Sequence, residues 1–289
     1  MSTPPPSPSD GPRTAASLAM HLAHLGVRPG DTLLVHSSLR SLGWVCGADQ
    51  AVVQALLTAV GPTGNLVVPT QTMGNTDPAS WVSPPVPQAW WETIRAEAPA
   101  FDPAITPSSY MGRIPERVRT WPGAVRSDHP QTSFAALGPR AAHLMLPHPI
   151  TSALGESSPL ARMERAGARV LLLGTGYDSC TCFHLAEYRV PRPRTEPSSC
   201  AIRNSAGRRE WVTYTGVALD ESDFPRLGAE FEATGAVTLG RVGSATARLF
   251  SLGDAVDFAV GWLTEHRPAA TEPTSASRRR EGPGGLAWR

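Results

Sequence analysis

Lysine is missing from this sequence: all 26 basic residues are arginine. A Schiff-base lysine and the lysine of a phosphate-binding P-loop are therefore excluded as chemical devices. Cysteine is scarce, and Cys46, Cys180, Cys182 and Cys200 form neither a C-x-x-C pair nor the dense spacing of a secreted disulfide framework, so a reducing compartment is expected. Charge of one sign is missing too. The 26 basic and 25 acidic residues are interleaved and leave a net charge of +1, which gives no electrostatic footprint for nucleic acid or a membrane surface. No apolar run approaches the ~18 residues of a membrane span. The opening MSTPPPSPSDGPR has no cationic stretch followed by an apolar core. These absences lead to the expectation of a cytoplasmic protein with a small-molecule partner, in which arginine serves any bidentate phosphate contact.

The chain is long enough for one large core or two small ones. Its ends differ from its middle: residues 1–13 are rich in Pro and Ser, residues 268–289 carry Arg278, Arg279 and Arg280, and both segments are expected to be disordered, leaving 14–267 as one domain. Within it, Thr14 can cap a helix bearing Leu18, Leu22 and Leu25 and stopped by Gly26. DTLLVHSSL reads as a buried strand, residues 49–60 as a helix with Asp49 at its N-cap and Gly61 as its stop, and GNLVVPT as a second buried strand. That βαβ pattern makes the sheet at least partly parallel. Residues 71–135 read as irregular apart from a short helix over 88–97, and a long irregular stretch is usually functional. A helix from Ser158 to Gly167, the strand ARVLLLG, a helix over 181–188, a hairpin around 204–207, a helix from Asp223, the strand ATARLF and a last helix opened by Ser251 complete the pattern. The fold class is a single α/β domain with a mixed, partly parallel sheet flanked by helices.

GTGYDS, residues 174–179, approaches the dinucleotide fingerprint G-x-G-x-x-G but misses it, because Ser179 replaces the third glycine and Asp178 places a negative charge where pyrophosphate would lie. What survives is a tight turn at the C-terminal edge of a strand, where open α/β sheets bind ligands, with an acid suited to a cation. Just beyond it, CTCFHLAEY holds His184 and Glu187 three apart and so on one helix face. Spacing alone slightly favours an ordinary core histidine and a solvated acid. The competing reading is a neutral imidazole beside two carboxylates, Asp178 and Glu187, which is a good base for an ammonium group. VHSSLRSLGW is equally open, as a plain polar turn or as a phosphate-binding loop with Arg40 nearby. RSDHP, His143 and His148 lack the spacing of a metal-binding helix, Cys180-x-Cys182 lacks a second pair, and no metal is expected. GESSP, the nearest string to G-x-S-x-G, reads as a helix cap followed by Pro159, which leaves little for a serine hydrolase.

Taken in order, VHSSLRSLGW, GNLVVPTQT, NTDPASW, TPSSYMGRIPE, RSDHPQTSFAALGP, GESSPLARM, VLLLGTGYDSCTCFHLAEY and FEATGAVTLGRVGSA resemble the aminoglycoside 3-N-acetyltransferase family from about residue 14 to 266. The resemblance implies a fold of its own, distinct from the common GNAT-type acetyltransferases, and transfer of acetyl from the co-substrate acetyl-CoA to the 3-amine of a deoxystreptamine ring. It implies His184 as general base, oriented by a carboxylate of ALDESDF, where Asp220, Glu221 and Asp223 are available and Asp223 is chosen. His36, Ser37, Ser38, Leu39, Arg40, Ser41, Leu42 and Gly43, with Ser108, Met111, Gly112 and Arg113, would form the acetyl-CoA side. Asp77, Asp178, Glu187 and Glu230 would receive the antibiotic's ammonium groups, and a backbone N–H or a hydroxyl such as that of Thr181 would meet the oxyanion. Monomer and homodimer both remain open. The alternatives are an acetyltransferase acting on another amine in a biosynthetic pathway and a non-catalytic aminoglycoside-binding protein.

Overall fold

In the computed structural model, which describes residues 11–82 and 84–267, a seven-stranded mixed sheet divides the molecule. Its centre is parallel: β1 (Thr32–Ser37) lies between β2 (Asn65–Pro69) and β5 (Arg169–Leu173), with Leu34 opposite Val67 and His36 opposite Leu172. These are the continuous apolar runs of the sequence, buried nearly end to end, as strands covered by helices on both faces must be. Antiparallel strands close the flanks. β4 (Phe134–Leu137) and β3 (Val125–Arg126) lie beyond β2, while β9 (Ala245–Ser251) and β8 (Thr238–Val242) lie beyond β5. β6 (Thr195–Arg203) and β7 (Arg209–Val217) form a separate hairpin, closed where Gly207 N–H donates to the Asn204 carbonyl.

The alternation of side chains along the central strands sorts the apolar residues into two cores. Leu33, Val35, Leu66, Val68, Leu171 and Leu173 pack with α1 (Ala15–Leu25), α2 (Ala48–Val60) and α4 (Arg113–Arg119). Leu34, Val67, Val170 and Leu172 pack with α5 (Ala141–Met145), α6 (Pro159–Arg165), α7 (Phe183–Glu187), α8 (Phe224–Ala233) and α9 (Leu252–His266). His36 stands two residues beyond Leu34 and so lies on the α7 side of the sheet. Among the described residues no helix is long and apolar enough to cross a membrane.

The caps at Thr14, Ser158 and Ser251 form as their sequences specify, Thr14 in a reciprocal pair with Ser17 and Ser158 ahead of Pro159. Asp49 does not cap α2. Gly47 takes that place, and Asp49 sits inside the first turn, buried, because its carboxylate binds Arg113 at 2.5 Å and Arg117 at 2.7 Å. Residues 71–135 are more ordered than expected. A 3-10 turn over Gln88–Trp90 runs into α3 (Trp91–Glu97) in the expected place, but α4, β3 and β4 are unforeseen. Asn75 and Gln131 tie this stretch to the β6–β7 hairpin, Asn75 by exchanging bonds with Ala201 and Gln131 by donating to the Ser199 carbonyl. Of the two ends expected to be disordered, residues 1–10 and 268–289 lie outside the described residues, and Arg13 pairs with Val45 in an isolated bridge.

Candidate active site

Strands β1 and β5 end side by side, and the chain leaving each is drawn over that edge. Ser38 N–H donates to the Leu173 carbonyl at 2.9 Å, and Ser41 Oγ lies 3.0 Å from the Gly174 carbonyl and 2.9 Å from Ser38 Oγ. Gly174 permits this approach in two ways: its φ is 72°, and a Cβ there would stand 2.5 Å from Ser41 Cβ. The HSSLRSLG segment thereby becomes one 3-10 turn, Arg40–Leu42, laid across the end of the sheet, with Leu42 buried in the core and Arg40 and Gly43 at the surface.

Among the described residues four buried side-chain polar atoms have no hydrogen-bond partner, and three are at this edge: His36 Nε2, Ser37 Oγ and Thr175 Oγ1. Each such atom costs about 1–3 kcal/mol, so their gathering at one strand edge marks a place prepared for a ligand. His36 is 4% exposed. Burial, aided by the positive charge that His184 can carry nearby, pushes its pKa down to about 3, so it is a neutral imidazole at physiological pH.

His184 and Glu187 share the inner face of α7, a helix of only five residues. His184 Nδ1 and Glu187 Oε2 are 2.6 Å apart, and the Glu187 side chain is 3% exposed against 13% for His184. A carboxylate acceptor at Nδ1 places the imidazole proton there and leaves the Nε2 lone pair free. The other oxygen of Glu187 accepts from the Asp220 N–H at 3.0 Å and from Arg267 Nη1. Arg267 in turn binds Asp223 through Nε at 2.7 Å and through Nη2, and the His184 ring packs 4.8 Å from that of Phe224.

Two of the expected roles meet a different geometry here. The carboxylate on His184 is Glu187, not Asp223, because a three-residue spacing on α7 brings Glu187 directly to Nδ1 while the Asp223 oxygens are held by Arg267. For the same reason Asp223 makes no side-chain cap on α8. Glu187, expected to receive an ammonium group, has both oxygens engaged within the protein. Of the other acids expected to bind substrate, Asp178 is exposed on the 3-10 turn Tyr177–Ser179 that leads into α7. Asp77 grips Arg95 through two bonds, at 2.7 and 3.0 Å. Glu230 faces Arg226 and Trp262 Nε1, and no interaction links it to His184.

Of the residues expected to meet acetyl-CoA, Ser108 donates from N–H and Oγ to Glu116, and Met111 and Gly112 lead into α4. Arg113, 68% exposed, is tethered to Asp49 near the start of α2, the helix that follows the 36–43 segment. Thr181 N–H is spent on the Ser179 carbonyl. Arg267 and Thr175 escaped the sequence reading, the first because nothing local points across 80 residues to Glu187, the second because it lay unremarked within GTGYDS.

His129 and His148 do meet, with ring centroids 4.7 Å apart, but their nitrogens bond to Gln131 N–H, Thr132 N–H, Ser127 Oγ and the carbonyls of Ile150 and Ala153. Cys180 and Cys182 are buried free thiols with Sγ atoms 3.4 Å apart. Among the described residues no three His, Cys, Asp or Glu side chains are gathered as metal ligands.

The family model described as aminoglycoside 3-N-acetyltransferase matches residues 34–264. The YokD protein of Bacillus subtilis, an aminoglycoside N(3')-acetyltransferase-like protein, is 44% identical over 253 residues, covering 87% of this chain and 93% of the relative. Aminoglycoside N(3)-acetyltransferase IX of Micromonospora chalcea is 38% identical over 272 residues, covering 88% and 95%. The crystal structure of YokD superposes with a TM-score of 0.87 at 43% identity over 89% of this chain and 95% of that one. That of aminoglycoside acetyltransferase AAC(3)-Xa superposes with 0.81 at 40% identity over the same shares. The structures of AAC-IIIb with CoASH (0.78, 30% identity) and AAC-VIa with sisomicin (0.79, 35% identity) each cover 90% of this chain and 100% of the other. The fold is thus that of these enzymes and not of the GNAT type.

Proposed function

Because the chain belongs to the aminoglycoside 3-N-acetyltransferase family, it is an acyltransferase, and we propose that it moves the acetyl group of acetyl-CoA to the 3-amine of a deoxystreptamine aminoglycoside, with His184 as general base. The observation that carries this reading is the 2.6 Å contact between His184 Nδ1 and the buried Glu187. An aminoglycoside amine is largely protonated at neutral pH and cannot attack a thioester until it loses a proton. His184 Nε2 accepts that proton, and Glu187, itself paired with Arg267 and the Asp220 N–H, stabilises the imidazolium that results. The pair then returns the proton to the departing thiolate.

The chain's own residues fit a thioester donor. The edge of β1 and β5 presents unpartnered polar atoms of the size and polarity that an acyl carbonyl and the amides of a pantetheine arm would satisfy, and the exposed Arg40 and Arg113 can meet phosphate. The CoASH and sisomicin complexes of AAC-IIIb and AAC-VIa support that pairing of ligands. Asp178, and Asp77 where it is shared with Arg95, would take the ammonium groups of the acceptor. Donor and acceptor bind together, so no acetylated side chain intervenes, and the reaction belongs in the cytoplasm, where acetyl-CoA is made.

A thiol-release assay with acetyl-CoA and a panel of aminoglycosides tests the reading. Turnover with sequential kinetics is expected, and His184→Ala should lose about 10²–10⁴-fold in kcat while still binding both ligands. Ping-pong kinetics, or a His184→Ala variant that turns over normally, would overturn the mechanism. Turnover only with amines outside the aminoglycosides would overturn the acceptor.

A further inference from the structure

The mechanism above gives the buried imidazole at the end of β1 a place beside the donor but no step of its own. His36 is fixed by the strand that carries it: its backbone pairs in register with Leu172 of β5, and its side chain lies on the α7 side of the sheet, close enough to His184 for the two to interact electrostatically. Yet its Nε2 bonds to nothing. The other buried histidines show that this fold can satisfy an imidazole when structure alone is at stake, since His129 and His148 each have both ring nitrogens within hydrogen-bonding distance of protein atoms. A polar atom left unpaired in an apolar layer lowers stability, and it persists where a ligand supplies the missing partner.

Resting on the acetyl-transfer reading, we infer that His36 is a second catalytic residue, an electrophile whose neutral Nε2–H donates a hydrogen bond to the acetyl carbonyl oxygen as negative charge develops on it. The division of labour is electrostatic. When the amine attacks, a C–N bond forms and the carbonyl π pair moves onto oxygen. When the intermediate collapses, that pair re-forms the C=O bond and the C–S bond breaks toward the thiolate. His184 carries the one proton that moves, from the amine to the thiolate. His36 moves none. It serves by donating more strongly to an oxyanion than to a ground-state carbonyl, in a site too dry to charge it. Two neighbouring imidazoles would both be bases in water; here burial on β1 reserves proton transfer for the one that has a carboxylate.

His36→Met and His36→Gln are close in size and differ in whether the side chain can donate. Because Met removes an orphaned polar atom, His36→Met should raise Tm by about 2–4 °C in the absence of ligands. It should lower kcat about 10²–10³-fold, the usual effect of losing one oxyanion donor, with little change in KM for the aminoglycoside. His36→Gln should retain activity to within about tenfold of wild type, between the two. Neither change should displace the acid limb of the pH–rate profile. A His36→Met protein that melts lower or fails to fold would make His36 structural, and one with kcat within about threefold of wild type would remove it from catalysis. A displaced acid limb would make it an accessory of His184. Failure of the base assignment is read separately, from His184→Ala, and failure of the acyl-transfer reading from an inert wild-type enzyme.

Discussion

Lowering the pH from 7 to 5 should cost the native state about 2 kcal/mol for each of two histidines, His36 and His129, with a further loss in the same direction from His148. Burial is the leading cause in all three: it holds His36 at about 3 and His129 at about 4, and with the neighbouring His129 it puts His148 well below the ordinary 6.5. A folded pKa below the unfolded one means that the unfolded chain takes up protons first as acid is added. Stability is therefore complete above about pH 6.5 and is lost on the way down toward pH 4 or 3. For His129 the ratio of binding polynomials between pH 7 and 5 gives a loss of about 2 kcal/mol, and the same arithmetic applies to His36, so the two together, about 4 kcal/mol, are a large part of the whole stability of many domains. The local geometry says what protonation would break. His129 Nδ1 accepts from the Gln131 and Thr132 N–H groups at 3.1 and 3.0 Å, and a proton there turns two bonds into two repulsions. Urea unfolding at pH 7, 6 and 5, followed by tryptophan fluorescence, measures the loss. His129→Asn keeps an acceptor near Nδ1 but does not titrate, so it should be about 1–2 kcal/mol less stable at pH 7 and lose about 2 kcal/mol less on acidification. A wild-type stability that changes by less than about 1 kcal/mol over this range, or an Asn variant with the wild-type slope, would refute the reasoning.

Glu187→Gln should reduce kcat/KM about 10²–10⁴-fold, whereas Asp223→Asn, which touches the pair only through Arg267, should cost no more than about tenfold; steady-state rates that reverse this order would restore Asp223 as the orienting acid. Arg267→Ala leaves the buried Glu187 without its guanidinium and should destabilise by about 2–4 kcal/mol. Gly174→Ala combines a φ of 72° with a 2.5 Å overlap on Ser41, so it should lower stability by more than about 1 kcal/mol. Initial-rate kinetics should show it raising KM for acetyl-CoA more than KM for the aminoglycoside.

The central strands were legible because TLLVHS, NLVVP and RVLLL are unbroken apolar runs, and a strand buried on both faces has no other pattern to show. The caps at Thr14, Ser158 and Ser251 were legible because each completes its hydrogen bond within three residues. What escaped depends on distance. RIPERVR is too short to display a helical period, and α4 exists because Ile114 and Val118 meet a core built elsewhere. The antiparallel place of β9 beside β5 joins Arg169 to Ser251, a pairing no local pattern encodes. The candidate site divides in the same way. The spacing of His184 and Glu187 put them on one face but could not say that the acid turns inward onto the imidazole and not outward to a substrate. Burial decided that, and burial is a property of the assembled fold. Asp223 was visible as an acid at a helix start, while the arginine that occupies it stands 44 residues away.

The bond from Arg267 to Glu187 also bears on when the enzyme becomes one. His36 lies on the first strand and His184 on the seventh helix, but the guanidinium that pairs with Glu187 sits just past α9, which follows β9, the strand beside β5. A chain still leaving the ribosome at residue 240 would hold the histidine and the acid and nothing to neutralise the pair. The long sequence separations that make such folds slow to assemble thus act as a timing device, in which the proposed base gains its full set of partners only when the far end of the described chain is in place.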